Sequence, residues 1–231
     1  MREIRGHIEP VNEKLYGTVM EAEILEQPPK TGRDARRDAI LKIALEAFLT
    51  DGYAATSMST IAAKVGGSKA TLYNYFTSKE ELFTAVIAEK CHDVHQLLFE
   101  TELEHDDFRV SLTRFAERFL RLVLSDEKVA VYRLITAETA RFPELGRAFY
   151  RTGPLQGKNL LAQYFDRAVA EGSLKPGDTS VMSSHFFSLC KGEIHHRKLW
   201  NVTPNPSDEE IRESAGQSIA MFLAAYGGDG V

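Results

Sequence analysis

The sequence predicts an all-α protein of about nine helices, and three observations support this fold class. From Asp34 onward, apolar residues recur at the i, i+3, i+4 and i+7 spacing of amphipathic helices. Helix start and stop signals separate these segments, and no segment shows the period-two alternation of a strand. We therefore expect a three-helix unit at residues 33–83, followed by a larger helical part at residues 84–231.

Residues 1–32 come before the first regular pattern. They show no sustained periodicity and contain Pro10, Pro28 and Pro29. Segments of this kind do not bury enough apolar surface to offset the entropy of ordering them, so we expect a disordered or loosely helical arm.

Three helices are predicted between Asp34 and Phe76. The first carries an apolar face and ends at the Asp51-Gly52 stop signal. Either Thr56 or Ser57 is suited to cap the second helix, which ends at Gly66-Gly67. A third, short helix begins after Ser68 and is expected to run through Phe76.

Longer helices fill the rest of the predicted fold. Ser78 and Glu81 form a capping box for the fourth helix, and Ser207 and Glu210 form another for the last. The acidic stretch 100–107 predicts a loop. Helical spacing then covers residues 108–124, 126–141, 143–171, 178–200 and 207–226. Within the third of these ranges, Gly153-Pro154 should interrupt or kink the helix, because proline lacks the N–H of a helical turn.

The composition excludes several classes of protein. The 231 residues carry a formal net charge of −5, which argues against nucleic-acid binding unless positive charge is concentrated locally. No apolar run approaches the roughly 18 residues of a membrane span, and the N-terminus lacks the apolar segment of a secretory signal. Because Cys91 and Cys190 are far apart, we expect no disulfide framework and a cytoplasmic location.

The junction at Gly66-Gly67 matches a helix-turn-helix, in which two short helices flank a glycine-containing turn. Leu72 and Phe76 would face a small core. The outward positions are Lys69, Ala70, Thr71, Tyr73, Asn74 and Tyr75. All but Ala70 carry donors suited to DNA, whereas the small Ala70 would let the helix approach base edges closely. Residues 33–79 have a local charge of +3, with seven basic and four acidic side chains. The alternative is that both tyrosines are core aromatics and the basic residues form a solvated surface.

The segments ILKIALEAF and TSMSTIAAKVGGSKATLYNYFTSKEELF resemble the DNA-binding domain of TetR/AcrR-type transcriptional regulators. One departure is Gly67, where that family more often has valine or another small apolar residue. The resemblance implies that phosphates are held by Ser57, Thr71, Tyr75 and Lys79. It places five positions at the major groove or its rim, and these are Ser59, Lys69, Ala70, Tyr73 and Asn74. Ser68, which caps the third helix, is a further candidate for DNA binding.

The stretch TAETARFPELGRAFYRTGPLQGKNLLAQYFDRAVAEGSL resembles the regulatory domain of the AefR-like branch of this family. The resemblance implies a small-molecule effector, of apolar or aromatic character, and a two-fold homodimer formed through the last two helices. The candidate effector-binding residues are Tyr132, Phe149, Tyr164, Phe165, Phe187 and His195. Side chains of these types are more often ordinary core residues.

An apolar stripe on the last helix is compatible with the implied dimer. The stripe consists of Ile211, Ala215, Ile219, Phe222 and Tyr226, with Ala220 and Ala224 beside it. On the preceding helix, Met182, His185, Phe186 and Leu189 lie close together. The alternative is that the stripe faces the core of its own chain.

Ligand-type side chains elsewhere do not form a convincing metal or redox site. Cys91 and His95 lie four residues apart beside His92, and His195-His196 follow Glu193. Two ligands on one helix without a third and fourth are too few for a zinc site, so we expect no metal and no cofactor.

The leading functional hypothesis is therefore a ligand-responsive repressor that binds a palindromic DNA operator as a dimer and is released by an effector. An enzyme is disfavoured, because the sequence lacks the G-x-S-x-G, G-x-G-x-x-G, P-loop and H-E-x-x-H motifs. The other alternative is a helical small-molecule-binding or scaffold protein without DNA binding. No membrane partner is expected.

Overall fold

The computed structural model describes residues 31–100 and 107–229, without the side chains of residues 93–95 and 97–100. The predicted arm lies outside the described residues except for its last two residues, 31 and 32. Most of the predicted acidic loop, residues 101–106, also lies outside them. Throughout the described ranges the regular structure is helical, as the sequence predicted. None of the helices described there is long and apolar enough to cross a membrane.

The helices follow one another with short connections. Their bounds are α1 Gly32–Asp51, α2 Met58–Val65, α3 Lys69–Tyr73, α4 Lys79–Glu100, α5 Phe108–Val123, α6 Asp126–Glu138, α7 Pro143–Thr152, α8 Pro154–Ala170, α9 Thr179–Leu199 and α10 Asp208–Tyr226. The first residues of α1, up to Ala39, form a unit separate from Ile40–Val231. In that first unit, Thr31 and Asp34 cap α1 reciprocally through their side chains and backbone N–H groups.

Two hydrophobic cores organise the residues from Ile40 onward. The first contains the three-helix head, defined here as residues 40–76, together with the start of α4. It also takes in Val131 and Ile135 of α6 and Leu145 of α7, so side chains of the larger part complete this core. The second core lies among α5, α8, α9 and α10 and is built around Phe165, Phe186 and Phe222.

Local sequence signals explain most helix ends. The Ser207 and Glu210 capping box is present at α10, with both reciprocal hydrogen bonds made. At α4 the Ser78 hydroxyl accepts a bond from the Glu81 N–H, but the Glu81 carboxylate accepts from the Thr77 N–H. The first half of that predicted capping box is therefore present, and the second half is displaced by one residue.

Most helix bounds agree with the prediction to within two residues, and three depart from it further. The third helix ends at Tyr73 rather than Phe76, and α6 ends at Glu138 rather than residue 141. The predicted interruption at Gly153-Pro154 is a complete break between α7 and α8. There α4 approaches closely, because a Cβ built on Gly153 would lie 2.7 Å from the Cys91 sulfur.

A kink inside α9 was not predicted. Gly192 has φ 34° and ψ −140°, which are not helical angles, although helix continues on both sides. The positive φ is easily adopted only by glycine, and the sequence around it carries no proline to signal a break.

The apolar stripe on α10 packs within its own chain. Ile211, Ala215, Ile219 and Phe222 are buried and Tyr226 is half-buried. The alternative reading of this stripe is therefore correct, because these side chains already fill the second core. Ala220 and Ala224, beside the stripe, remain exposed together with Met221.

Candidate nucleic-acid interface

The turn between α2 and α3 is set by two glycines with different roles. Gly66 has φ 72° and ψ 37°, and its N–H donates to the Ala63 carbonyl at 3.2 Å. The Gly67 N–H donates to the Ala62 carbonyl at 3.1 Å, which completes a Schellman end to α2. Only Gly66 needs the left-handed conformation, because Gly67 is not among the glycines of positive φ. The turn therefore fixes the direction in which α3 leaves α2.

The short helix α3 presents the predicted outward side chains on the surface. Leu72 is buried against the head core, whereas Lys69, Ala70, Tyr73 and Asn74 are exposed. The exposed fraction of Tyr73 is 41%, so the alternative that it is a core aromatic is wrong. The Lys69 ammonium lies 5.8 Å from the centroid of the Tyr73 ring, so one surface carries both a cation and a phenol.

Tyr75 follows a different pattern from its neighbours. It is half-buried and packs against the first core, after α3 has ended. Thr71 is likewise half-buried. The prediction that both point outward is only partly correct, because a five-residue helix has few outward positions and the chain turns back at Asn74.

Matching hydroxyl pairs begin α2 and α3. Ser57, not Thr56, caps α2, and its Oγ accepts from the Thr60 N–H and lies 2.9 Å from the Thr60 hydroxyl. Ser68 caps α3 in the same manner, with the Thr71 hydroxyl 2.8 Å away. Each pair places two polar oxygens at an exposed helix start. Thr60 was missed in the sequence, although its position three residues after the cap is the available signal.

Lys79 closes the loop that joins α1 to α2. Its ammonium donates to the Tyr53 carbonyl at 2.8 Å and to the Thr56 carbonyl at 2.9 Å. It also lies 4.2 Å from the centroid of the Tyr53 ring. Since an ammonium has three N–H donors, one remains for another acceptor.

Tyr53 links the head to the larger part. The ring is fully buried, with the Phe142 centroid 5.1 Å away, and its hydroxyl donates to the Glu80 carboxylate at 3.3 Å. Burial, and secondarily the Glu80 charge, raises the pKa of Tyr53 well above its usual range. Beside it, the Ala54 N–H donates to the Glu138 carboxylate at 3.3 Å. The loop therefore contacts the end of α6 and the residues before α7.

The six predicted effector-binding residues fall into two groups. Tyr132 stands edge-on to Phe149 and to His195, with ring centroids 5.9 Å and 5.2 Å apart. Tyr164 and Phe165 belong to the second core, as does Phe187, which lies 4.9 Å from Phe119. The fully buried Phe165 is an ordinary core residue, whereas Tyr132 and Phe149 are half-buried.

The predicted ligand-type clusters do not assemble into a metal site. No group of three or more His, Cys, Asp or Glu side chains is placed to hold an ion, as far as the described side chains extend. His95 lies outside those side chains. Cys190 is buried, and burial raises the pKa of its thiol to about 12.

A helix-turn-helix whose second helix exposes lysine, tyrosine and asparagine, joined to a larger helical part, defines a DNA-binding regulator. Residues 40–86 match the bacterial regulatory proteins of the tetR family. Residues 110–228 match the C-terminal domain of AefR-like transcriptional repressors, which is more than half of the chain. The chain belongs to the TetR family of transcriptional regulators, whose members are typically ligand-responsive repressors.

Solved structures agree with this membership. A crystal structure of a TetR-family regulator from Mesorhizobium loti MAFF303099 has a TM-score of 0.77 and 31% identity, covering 86% of this chain and 100% of that one. The flavonoid-responsive regulator FrrA has a TM-score of 0.69 and 32% identity, covering 85% of this chain and 98% of that one.

A named relative matches over a shorter stretch. The HTH-type transcriptional activator FasR of Mycolicibacterium smegmatis is 35% identical over 103 residues, which are 45% of this chain and 46% of that protein. The chain thus spans about half the length of that relative.

Proposed function

We propose that this protein is a cytoplasmic repressor that binds a palindromic operator as a homodimer and is released by a small apolar or aromatic effector. It acts without catalysis and without a cofactor. The observation that supports DNA binding most directly is the surface of α3, where Lys69, Tyr73 and Asn74 stand exposed on a helix aimed by the Gly66 turn.

Two kinds of DNA contact are assigned to this surface. Lys69, Ala70, Tyr73, Asn74 and Ser59 read base edges or the rim of the major groove, because all five are exposed. The capping pairs, which contain Ser57, Ser68 and Thr71, donate their remaining hydroxyl protons to phosphates.

Lys79 and Tyr75 have a combined role at the backbone of the DNA. Two of the Lys79 donors fix the loop between α1 and α2, and the third is directed to a phosphate. Tyr75 packs on the core through its ring, and its hydroxyl is assigned a contact with the phosphate backbone. Both residues thus position the head and add affinity without reading sequence.

The dimer is proposed to form through the outer faces of α9 and α10. Ala220 and Ala224 are small and exposed, and the exposed fraction of Met221 is 63%. On α9, Val181 and Ser188 are exposed as well. Small side chains let helices of two protomers approach closely, and burying the exposed methionine would stabilise the pair. Two heads would then be spaced by about 34–36 Å, one turn of DNA.

The effector is proposed to bind among Tyr132, Phe149 and His195, with Tyr164, Phe165 and Phe187 supporting the site from the second core. An aromatic effector suits the first three rings, which converge from α6, α7 and α9. FrrA, whose name describes it as flavonoid-responsive, has 32% identity to this chain, so flavonoids are suitable first test compounds.

Fluorescence anisotropy with the DNA upstream of the gene itself tests this function. We expect binding that weakens steeply with salt, since phosphate contacts release counterions, and that an effector reverses. A scaffold protein without DNA binding would give no anisotropy change at any salt concentration. A cognate ligand that binds the protein and leaves operator affinity unchanged would contradict release by an effector.

A further inference from the structure

Lys191 is a cation of the larger helical part whose ammonium has no partner among the described residues. It is half-buried on α9, one residue before the Gly192 kink. Within the described part of the chain, which lacks the side chains of residues 93–95 and 97–100, its ammonium makes no hydrogen bond or ion pair. Burial lowers the pKa of this ammonium, because it removes water from the charged form. An unpaired, desolvated cation on a helix is costly and suggests that an anion binds there.

The surroundings of Lys191 are aromatic. His195, four residues later, is buried, and its pKa is lowered to about 4 by burial and by the neighbouring charge of Lys191. The His195 ring is 5.2 Å from the Tyr132 ring, which in turn contacts Phe149. The charge of Lys191 thus acts on His195, which belongs to a group of three rings contributed by α6, α7 and α9.

The kink at Gly192 sets the relative directions of Lys191 and His195. In a straight helix, residues four apart lie one above the other on the same face. Gly192 breaks the helical angles between these two residues, and its φ of 34° is one that other residues adopt with strain. The break is thus a specific feature of this part of α9.

Hydrogen bonds join the end of α9 to α6, and they fix the position of Tyr132 relative to His195. The Arg133 guanidinium donates to the carbonyls of Lys198 and Leu199, both at 2.8 Å. The Lys198 ammonium donates to the Asp126 carboxylate at 2.6 Å. Tyr132, next to Arg133, is therefore preorganised beside His195.

Resting on the proposed function, we infer that the effector is an aromatic organic acid, whose anionic oxygen pairs with Lys191 while its ring packs on Tyr132, Phe149 and His195. The ion pair gives the half-buried Lys191 ammonium a partner, and the three rings bury the apolar part of the effector. Neutral analogues of the same shape make only the second set of contacts, so they bind more weakly.

Calorimetric titration of the full-length protein with matched compounds tests this inference. The probes are 2-naphthoate and 4-hydroxycinnamate, each compared with its neutral primary amide. We expect each acid to bind about ten-fold or more tightly than its amide, as one charge-assisted hydrogen bond provides. Lys191→Met should remove this preference and leave the amide affinity unchanged. Lys191→Arg should retain the preference, and Lys175→Met, which removes an exposed lysine, should not alter it.

The inference is overturned if amides bind as tightly as acids, if neither acid binds, or if Lys191→Met still prefers the acid. Operator binding, measured by anisotropy in parallel, separates this from the proposed function. If only neutral compounds release the protein from DNA, the proposed repressor function stands and the inference of an acidic effector fails. If the acids bind but the protein has no affinity for DNA, the proposed repressor function fails and the acid-binding site stands.

Discussion

The backbone N–H of Ala54 donates a hydrogen bond to the Glu138 carboxylate, 84 residues further along the chain, with an N–O distance of 3.3 Å. A Cβ built on Gly52 would also lie 3.1 Å from the same carboxylate. The loop between α1 and α2 and the end of α6 therefore fit closely together.

We predict that Glu138→Ala weakens the response to effector. One hydrogen bond to a charged group contributes about 1–2 kcal/mol, so the ratio of operator affinities without and with effector should fall by about five-fold or more. Anisotropy titrations at saturating and zero effector measure this ratio. Glu171→Ala, which changes an exposed carboxylate at the end of α8, is the control and should keep the full ratio. An unchanged ratio in Glu138→Ala would show that this contact carries no coupling.

Lys69 and Tyr73 should have separable roles in DNA binding. Tyr73→Ala is expected to weaken binding to every sequence by a similar factor, because a contact at the rim of the groove carries no sequence information. Lys69→Ala should instead cost about 1–3 kcal/mol at one base position and relax preference there. A panel of single-base operator variants, measured by gel shift, distinguishes the two. Parental binding by both variants on all sequences would contradict the placement of α3.

Lys79 is expected to be both structural and DNA-binding. Lys79→Met leaves the Tyr53 and Thr56 carbonyls without their donor, at a cost of about 1–3 kcal/mol of unfolding free energy. Urea unfolding measures this loss. At a temperature where the variant remains folded, the slope of log operator affinity against log salt concentration should also fall by about one, the value of one phosphate contact. A slope equal to that of the parent would show that Lys79 stabilises the loop and does not contact a phosphate.

The two glycines of the turn should respond oppositely to alanine. Gly66→Ala forces a Cβ into the left-handed region and should destabilise the protein by about 1 kcal/mol. Gly67→Ala keeps the N–H that bonds Ala62 and restricts only the unfolded chain, so it should be neutral or stabilising by about 0.5 kcal/mol. Urea unfolding of the pair is a matched comparison. Equal losses would mean that the turn geometry does not depend on Gly66.

His195 should make stability depend on pH. The unfolded chain protonates this ring as the pH falls below its usual pKa of 6.5, whereas the folded chain does so only near 4. Stability is therefore lost as the pH falls from about 6.5 to about 4. The groups that act on the ring are Lys191, His196 and the Tyr132 face. Between about pH 7 and pH 5, the parent should lose roughly 1–2 kcal/mol more than His195→Gln. Thermal melting curves of both proteins at pH 7 and pH 5 measure this difference. Equal shifts of the melting temperature in the parent and in His195→Gln would contradict the prediction.

The helix-turn-helix was predictable because its signals are local. The capping serines and the glycine turn each act within four residues, and the structure contains them where the spacing indicated. The Gly192 kink and the Lys79 loop contact were not predictable, because they depend on neighbours from distant parts of the chain. The orientation of the α10 stripe was open for the same reason: its apolar pattern suits an internal core and a dimer surface equally.

Effector binding by the six predicted residues stays a prediction, and the structure shows only how these residues pack. Aromatic content pointed to Tyr132, Phe149 and His195, which do come together. It also pointed to Phe165, which is fully buried. The role proposed for Lys191 was not predictable, since an unpaired cation is recognised only when the surrounding carboxylates have known positions.

Selection of bound DNA from a random pool tests the central claim, that α3 reads a groove as one of two symmetric heads. The account predicts an enriched inverted repeat whose half-sites are centred about one turn of DNA, or a multiple of a turn, apart. It also predicts that Lys69→Ala changes the enriched bases without changing that spacing. A pool without enrichment, or one enriched for a single unsymmetrical site, would contradict it.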